Sequence, residues 1–499
     1  MKILAPVDFD KFSQLMGFKT YPFNSYTAEN ERDKQPKLFI STKLYSPLFE
    51  AFDAGQTMIL CGDRGTGKTA ITYDFVRRAS NTTLVVSIDD FSALAVDYKN
   101  VEFYRFMISA LVNRFFSTPE NDSIARKHLS EEERIVLTYF YQHFADDAVK
   151  GMTRRKAREL QVSPWKKLGI SIYGLFRHPM NFAANFGASL VADVVARSLG
   201  SANVDTQVRE YFPEIHAGVE ADMPKDESTL SALRQLCKII KKCRYSRIVF
   251  IFDKVDEDQR LKNAAEEISE FLQSIVTNNV FLLDENFQTI LSTWVVPINF
   301  IRDKIRTQKI HTPEIKWQFE DLKRVYDRRV EVYSDGQAKT FENAFSQEVP
   351  EALKEKILDL SNRNPRDLWH LMDKIFRSQY RQDANSTLLT EEVVRKGMSD
   401  FVKQFNFYEY YPRKANARAN SMDAYAYIKH LQRLDGVVFT RNQLSERAGT
   451  GSSTVNYTIG MENLGLIEKD VSVGGQTSYR IRDPKVRFAI ENQIEISKP

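Results

Sequence analysis

The chain has 499 residues, enough for about three domains. Apolar residues make up 42% and charged residues 27%, while 20 Gly and 16 Pro are too few for a collagen-like or low-complexity protein. The 70 Lys and Arg residues exceed the 66 Asp and Glu residues by four, and this near-balance excludes a histone-like electrostatic binder. Three cysteines without a CxxC pair argue against a disulfide scaffold or a structural zinc site and fit a reducing cytosol.

A membrane-like stretch lies between residues 170 and 199. Its longest uncharged run, residues 179–192, has 14 residues, whereas a spanning helix needs about 20. We therefore expect a buried helix or a partner-facing surface here, without membrane contact. The N-terminus becomes acidic and aromatic too early for a signal peptide, and so we expect a soluble, cytoplasmic protein.

The first hundred residues predict a helix and two strands after an irregular lead-in over residues 1–36. An amphipathic pattern from Leu38 predicts a helix that stops near Gly55. Short apolar runs over residues 57–61 and 82–88 predict buried strands.

The residues after the first strand match the phosphate-binding pattern GxxxxGK[ST] in full, and a helix is predicted to begin near Lys68. Glycines let backbone N–H groups turn towards phosphates, and the helix N-terminus adds a favourable dipole. Lys68 can reach the β- and γ-phosphates of ATP, and the Thr69 hydroxyl can coordinate Mg²⁺. The predicted nucleotide-binding residues of this loop are Gly62, Asp63, Arg64, Gly65, Thr66, Gly67, Lys68, Thr69 and Ala70.

The stretch from about 95 to 240 is far longer than a crossover helix requires, and it predicts a helical insertion. Two further strands are predicted over residues 247–252 and 287–294. Apolar runs separated by helical patterns, without polar alternation, indicate a parallel sheet covered on both faces.

Carboxylates follow the third strand. Asp253 stands at its tip, where a residue that holds Mg²⁺ belongs beside a phosphate-binding loop. A second carboxylate is needed to orient the attacking water, and both Asp256 and Glu257 are available. The predicted catalytic residues are therefore Lys68 with Asp256 or Glu257, and the predicted metal ligands are Thr69 and Asp253.

From Pro297 to about Gln404 the sequence predicts charged helices without a strand. One of them opens at Pro365, so that Arg366 would either face the bound phosphates from a helical lid or be an exposed arginine. Other polar residues have two interpretations as well. Polar residues at the end of the fourth strand would either contact the γ-phosphate or only cap the strand, namely Ser292, Thr293 or Asn299. Two arginines would act in trans in an oligomer or lie on an exposed helix surface, namely Arg328 and Arg329.

The C-terminal unit predicts three helices, over residues 424–434, 441–448 and 452–464, and then a hairpin. This order predicts a winged helix-turn-helix. Its candidate recognition helix contains no Lys or Arg, although phosphate contact requires several cations. DNA contact and protein docking both stay open, and the cations near the wing are Arg480, Arg482, Lys485 and Arg487.

At these motifs the sequence resembles the P-loop ATPases of the AAA+ and STAND class. The order of core, lid and winged helix is similar to that of origin-recognition-type initiators, whereas Asp253, Asp256 and Glu257 are spaced more as in NACHT-like ATPases. Lys254 departs from both patterns. The resemblance implies an α/β fold, a P-loop NTPase parallel sheet with a helical insertion, a helical lid and a C-terminal winged-helix domain. The expected division is a lead-in (1–36), an ATPase core (37–300), a lid (301–405) and a winged helix-turn-helix (415–499).

The resemblance implies a slow ATPase that uses ATP and Mg²⁺ to switch conformation or assembly. Arg366 would couple the γ-phosphate to lid closure. By analogy with bacterial proteins of this class, we expect a homo-oligomer that acts in anti-phage defence through a separate effector or partner protein. The alternative is a DNA-binding AAA+-type ATPase related to replication initiators or transposition regulators. A third possibility, raised by Lys254, is an ATP-binding structural protein without turnover.

Overall fold

The computed structural model describes residues 8–41, 45–118, 129–152, 225–413, 423–470 and 477–498. At its centre is a parallel sheet with strand order β1-β4-β3-β2. The strands are β1 Met58–Gly62, β2 Thr83–Ile88, β3 Arg247–Phe252 and β4 Gln288–Trp294. Their side chains are almost all buried because helices cover both faces, which explains the continuous apolar runs. The α/β P-loop NTPase fold is confirmed, and each predicted strand is correct to within one residue at either end.

A further edge segment, residues 311–315, extends the sheet beyond β1. Its backbone pairs in parallel with β1: Ile59 N–H donates to His311 O (2.9 Å) and Ile315 N–H donates to Cys61 O (2.8 Å). The sequence analysis found no strand here because the segment is short and polar. Its position brings the following residue range, 316–318, against the phosphate-binding loop.

One face of the sheet packs against the insertion. Ile59, Phe250 and Phe252 point into a hydrophobic core built with the helices of this face. These helices are α5 Asn100–Ser117, α6 Glu131–Phe144, α7 Asp147–Met152, α8 Lys225–Cys243, α9 Ala265–Val276, α10 Asn279–Leu282 and α11 Val295–Ile301. The predicted helical insertion is thus present in the described part, whereas the membrane-like stretch 170–199 lies outside it. No helix among the described residues is long and apolar enough to cross a membrane.

The other face packs against α4, Lys68–Arg78, and against the N-terminal segment. The helices of that segment are α1 Phe9–Leu15, α2 Gln35–Leu38 and α3 Ser46–Asp53. The helix predicted from Leu38 is wrong in extent: Phe39 is already extended, and Pro47 lies in the first turn of α3. The predicted irregular lead-in also contains a packed core, because Phe23 is fully buried and stacks on Phe376 with ring centroids 5.3 Å apart.

Helices α12–α15 form a layer above the carboxyl edge of the sheet. Their bounds are α12 Phe319–Ser334, α13 Glu351–Leu360, α14 Pro365–Gln382 and α15 Glu391–Gln404. The helices predicted for this stretch are present, but the prediction that it contains no strand is wrong, because residues 311–315 pair with β1. Helices α14 and α15 approach closely because Gly397 has no side chain: a Cβ there would lie 2.6 Å from Ile375 Cγ1.

The C-terminal unit, residues 423–498, contains the predicted helices and hairpin in the predicted order. Its elements are α16 Ala424–Leu431, β5 Val438–Thr440, α17 Arg441–Ala448, α18 Thr454–Asn463, β6 Ile467–Lys469, β7 Ser478–Ile481 and α19 Pro484–Glu491. The antiparallel sheet order is β5-β7-β6. The first helix ends three residues before its predicted end, and β5 and α19 were not predicted. The hydrophobic core runs without interruption from the central sheet through α14 into this unit.

Candidate active site

A cavity of about 390 Å³ opens at the carboxyl ends of β1 and β3, between the start of α4, the N-terminal segment and α14. One end is lined by charged and polar residues, namely Arg64, Lys68, Thr69, Asp253, Asp256, Glu257 and Arg366. The rest of the lining contains the ion pair of Arg329 with Glu31 and a set of aromatic and aliphatic residues, namely Tyr26, Phe39, Ile40, Tyr45, Val325 and Trp369. A cavity whose lining combines a cluster of charged side chains with aromatic and aliphatic ones suits a ligand that carries both phosphates and a ring system.

The phosphate-binding loop shapes the charged end. Gly65 and Gly67 have φ values of +84° and +88°, which L side chains rarely adopt, and α4 begins directly after them at Lys68. Lys68 Nζ donates to the carbonyl oxygens of Gly62 (3.0 Å) and Asp63 (2.9 Å). Burial lowers the pKa of Lys68, although Asp256, Asp253 and Asp63 oppose this.

Of the loop residues predicted to bind nucleotide, Gly62, Asp63 and Thr66 are not on the cavity wall. Within the loop, Thr66 Oγ1 donates to Asp63 O (2.8 Å). Burial raises the pKa of Asp63. Trp317, which follows the edge segment, donates from Nε1 to Thr66 O (2.9 Å). The sequence analysis missed Trp317, and no local motif marks it.

Asp253 and Thr69 lie together at the floor of the charged end. Asp253 is buried, accepts from Lys254 N–H at Oδ1 (3.0 Å) and from the Thr72 hydroxyl at Oδ2 (3.3 Å). Burial raises the pKa of Asp253, and the hydroxyls of Ser292 and Thr69 and the charge of Lys68 oppose this rise. A hydroxyl and a carboxylate side by side are oxygen donors of the kind that Mg²⁺ prefers, and so the residues fit this ion. The described residues contain no group of three His, Cys, Asp or Glu side chains that could hold a metal by themselves.

The two carboxylates left open by the sequence have different surroundings. Asp256 is buried and paired with Arg64: Nε donates to Oδ2 (3.0 Å) and Nη2 donates to the backbone oxygen (2.7 Å). The same guanidinium lies over the Trp294 ring, 4.4 Å from its centroid. Glu257 is exposed to the cavity and forms no ion pair with any residue that the structure describes. Desolvation by its surroundings, followed by the charge of Asp256, raises the pKa of Glu257.

The start of α14 closes over the loop. Asn364 Nδ2 donates to Arg64 O (2.6 Å), and Asn364 Oδ1 accepts from Arg366 N–H (3.0 Å). A Cβ at Gly65 would lie 2.6 Å from Asn364 Oδ1 and 2.7 Å from Arg366 Cβ, so that only glycine permits this approach. Arg366 lines the cavity and its Nη1 lies 3.8 Å from Glu409 Oε2, but its Nε is buried without an acceptor among the described residues. An uncompensated buried donor of this kind fits an anionic ligand.

The N-terminal segment supplies the outer wall, which the sequence analysis missed. Lys254, in the left-handed conformation (φ 61°), extends its Nζ to Glu29 Oε1 (2.8 Å). This ion pair outweighs burial in both partners, raising the pKa of Lys254 and lowering that of Glu29. Farther out, Tyr26 stacks on His370 of α14 with ring centroids 3.7 Å apart.

Of the other candidate residues, Arg329 lines the cavity, whereas Ser292, Thr293 and Asn299 do not. Ser292 and Thr293 are fully buried in β4, and Asn299 is exposed next to Arg302. Both interpretations of Arg329 are wrong, because it is buried and contacts Glu31 through Nη1 (2.9 Å) and Nη2 (2.7 Å). Its partner is 298 residues away in sequence, which explains why no local pattern indicated the contact.

The cations that the sequence offered for DNA contact in the C-terminal unit are all paired with carboxylates. Arg480 contacts Asp470 (2.8 Å), and Arg482 lies 3.5 Å from Glu468. The others pair across the boundary with the lid, Lys485 with Asp367 (2.7 Å, buried) and Arg487 with Asp359 (3.0 Å). Helix α18 instead exposes two aliphatic side chains one turn apart, Val455 and Ile459.

Comparison with known families gives no match to a family model, and no curated protein matches. Solved structures with similar chains include the ORC2 protein of Aeropyrum pernix in its ADPNP-ADP complexes, with 13% identity, a TM-score of 0.42, and coverage of 96% of this chain and 97% of that one. The ADP form of the same protein has 13% identity, a TM-score of 0.34 and 97% coverage of each chain. A Walker-type ATPase of Pyrococcus abyssi has 10% identity and a TM-score of 0.34, over 98% of this chain and 99% of that one.

Proposed function

We propose that the chain is an ATPase that binds ATP with Mg²⁺ in the cavity, hydrolyses it slowly and switches conformation with the state of the nucleotide. One observation carries the proposal. Lys68, Thr69, Asp253 and Arg366 come from three separate segments of the chain and line one cavity, together with aromatic and aliphatic side chains. This is the arrangement that phosphoryl transfer needs, because its catalysis consists mainly of positioning and charge stabilisation.

Each residue has a defined task in this proposal. Lys68 exchanges its two carbonyl acceptors for the β- and γ-phosphate oxygens, and Thr69 and Asp253 hold Mg²⁺. The ion neutralises the charge that develops on the phosphates. Glu257 accepts a hydrogen bond from the attacking water and orients it, since it is the carboxylate without an ion-pair partner in the described part of the chain. Asp256 is a positioning residue, because its contact with Arg64 joins the turn after β3 to the phosphate-binding loop.

The switch acts through α14. Arg366 would bind the γ-phosphate, and Asn364 already joins the start of α14 to the phosphate-binding loop. Loss of the γ-phosphate removes the anion that satisfies Arg366, so that the lid is held less firmly after hydrolysis. The C-terminal unit follows α14 because Lys485 pairs with Asp367, the residue next to Arg366. Assembly into a homo-oligomer, a separate effector and a role in anti-phage defence stay predictions from the resemblance.

The alternative, a DNA-binding ATPase related to replication initiators, was predicted to use the C-terminal unit. The pairing of Arg480, Arg482, Lys485 and Arg487 weighs against phosphate contact by these four side chains, because each would have to leave a carboxylate first. The exposed Val455 and Ile459 favour protein docking on α18 instead. We therefore place the nucleotide-gated switch first.

The proposal is tested by ATP binding, phosphate release and light scattering on the wild type and four variants. Lys68→Ala is expected to lose ATP binding and any ATP-dependent change in mass. Glu257→Gln is expected to keep ATP binding while turnover falls about 100-fold or more. Asp256→Asn is the matched control for the carboxylate, and we expect it to weaken nucleotide binding and turnover together through the loop. Lys316→Ala, an exposed lysine paired with Glu314, is the matched control for Lys68.

Unchanged ATP affinity in Lys68→Ala would overturn the binding site. Wild-type turnover in Glu257→Gln, with turnover lost in Asp256→Asn alone, would reverse the assignment of the two carboxylates. ATP binding without phosphate release in the wild type would establish the inactive interpretation that Lys254 raised.

A further inference from the structure

A cationic segment, residues 301–310, follows α11 and leads into the edge segment of the sheet. Its exposed side chains include four cations and one acid, namely Arg302, Lys304, Arg306, Lys309 and Asp303. None of the four cations forms an ion pair with another residue that the structure describes. Where their side chains have hydrogen-bond partners, these are neutral: Arg302 Nη1 donates to Asn299 (3.4 Å) and Lys304 Nζ donates to Gln273 (2.8 Å).

The segment is anchored by its isoleucines. Ile301, Ile305 and Ile310 are between 0% and 5% exposed and belong to the core beneath the sheet. Backbone hydrogen bonds close the turns between them, from Ile305 N–H to Arg302 O (3.3 Å) and from Ile310 N–H to Arg306 O (3.0 Å). The backbone that carries the cations is therefore fixed in the folded chain, and a ligand that binds them does not have to order it.

The contrast with the C-terminal unit is one of available charge. There, the exposed cations of the hairpin are paired, Lys469 with Glu462 (3.5 Å), Arg480 with Asp470 (2.8 Å) and Arg482 with Glu468 (3.5 Å). Arg447 of α17 is likewise paired with Asp435 (2.7 Å). A paired cation must exchange one anion for another, whereas an unpaired cation contributes its full charge to a new partner. The cationic segment therefore offers more charge to a polyanion than the predicted wing does.

An exposed aromatic side chain stands beside these charges. Phe300, the residue before the segment, is 51% exposed at the end of α11. Cations next to an exposed aromatic ring are typical of surfaces that bind nucleic-acid strands, where phosphates contact the cations and a base stacks on the ring.

We infer that the cationic segment is a nucleic-acid-binding surface that contacts phosphates through Arg302, Lys304, Arg306 and Lys309, with Phe300 as a stacking platform for an unpaired base. This surface lies on the ATPase core rather than on the predicted recognition helix. The inference does not depend on ATP hydrolysis, because it rests on charge and exposure outside the cavity.

The experiment measures fluorescence anisotropy of a labelled DNA strand and of a duplex of the same length, without nucleotide, over a series of salt concentrations. The test variant is Arg302→Gln with Lys304→Gln, Arg306→Gln and Lys309→Gln. The control removes four exposed but paired cations of the C-terminal unit, Arg447→Gln with Lys469→Gln, Arg480→Gln and Arg482→Gln. Both variants change the net charge equally, so that a difference between them reports the site.

We expect the test variant to bind DNA at least about tenfold more weakly than the wild type at about 0.1 M salt, and the control to bind about as tightly as the wild type. The slope of log binding constant against log salt concentration is expected to become shallower by about 3 in the test variant. Phe300→Ala is expected to weaken binding of the single strand and to leave the duplex unchanged. Equal losses in the two fourfold variants, or no loss in the test variant, would overturn the inference, as would competition by polyglutamate as effective as that by DNA. Unchanged ATP binding by the test variant would show that this variant is folded. DNA binding that persists in Lys68→Ala would show that the DNA-binding inference can hold even if the ATPase proposal fails.

Discussion

At the scale of single residues, the two neighbouring carboxylates at the charged end of the cavity, Asp256 and Glu257, differ in their contacts. Both line the cavity, but Asp256 is buried and paired with Arg64, whereas Glu257 is exposed and forms no ion pair among the described residues. Placing a negative charge beside Glu257 while removing water from it favours the protonated form. In the proposed function, the same arrangement determines which residue orients water and how turnover depends on pH.

The raised pKa of Glu257 predicts the acid limb of the pH profile. As the pH falls through this pKa, Glu257 takes up a proton and can no longer accept a hydrogen bond from water. Turnover is therefore expected to fall at a pH above about 4.3, the ordinary pKa of a glutamate. The measurement is phosphate release at saturating ATP over a pH range from about 4.5 to about 8. In Glu257→Gln the residual turnover is expected to lack this limb. A limb that persists in the Gln variant would assign the titration to another group.

Gly65 tests the contact between the lid and the phosphate-binding loop. Gly65→Ala is expected to lower stability beyond the about 1 kcal/mol that a left-handed alanine costs, because the new methyl group also meets Asn364 and Arg366. Gly336→Ala is the matched control, since Gly336 has a similar φ of +83° and open space around it. The comparison is by urea unfolding of both variants. Equal destabilisation would show that the lid does not pack on Gly65.

At the scale of elements, the ion pair between Lys485 of α19 and Asp367 of α14 joins the C-terminal unit to the lid. Both side chains are buried, and Tyr410 donates a further hydrogen bond to Asp367 (2.9 Å). The Lys485 ammonium also lies 4.3 Å from the centroid of the Phe405 ring. Since Asp367 follows Arg366 directly, the proposed movement of α14 with the γ-phosphate would reach α19 through this pair.

Lys485→Met is expected to destabilise the chain by about 3–5 kcal/mol, because it leaves the Asp367 carboxylate buried without its cation. Adding Asp367→Asn in the double variant is expected to recover part of the loss, since the uncompensated charge is then removed. Urea unfolding of the single and double variants gives the coupling energy. Additive losses would mean that the pair does not link the two helices.

The ion pair between Lys254 and Glu29 joins the N-terminal segment to the end of β3. The side chains are 20% and 35% exposed, so that the pair contributes at most about 1 kcal/mol. Glu29→Gln is therefore expected to accelerate release of a fluorescent ATP analogue by a few-fold, measured by stopped flow. Glu50→Gln on the exposed face of α3 is the control. An unchanged release rate in Glu29→Gln would show that the segment does not hold the nucleotide.

At the scale of the whole molecule, one hydrophobic core joins the sheet, the N-terminal segment, the lid and the C-terminal unit. We expect these parts to unfold in a single calorimetric transition. Saturating ATP with Mg²⁺ at 100 times its dissociation constant is expected to stabilise that transition by about 2.7 kcal/mol. Lys68→Ala is expected to abolish the shift. Two resolved transitions, one of them insensitive to ATP, would contradict a shared core.

The sequence predicted the sheet and the floor of the site because these depend on local patterns. The strands are apolar runs, and Gly65, Gly67 and Lys68 belong to one continuous motif, residues 62–69. The walls of the cavity depend on contacts between residues far apart in the chain, such as Trp317 with Thr66 and Lys254 with Glu29, for which no neighbouring residue gives a signal. The choice between Asp256 and Glu257 likewise needed the position of Arg64, which a spacing cannot supply.

The packing of the N-terminal segment on the lid has a consequence for synthesis of the chain. Tyr21 donates to Asp373 (3.0 Å) across 352 residues, and residues on both sides of this contact line the cavity. A growing chain is made from its N-terminus, and so the outer wall of the cavity has no surface to pack on until α14 has left the ribosome. The high sequence separation also makes this closure a slow folding step. In the proposed function, a chain can therefore retain ATP stably only after translation has passed α14.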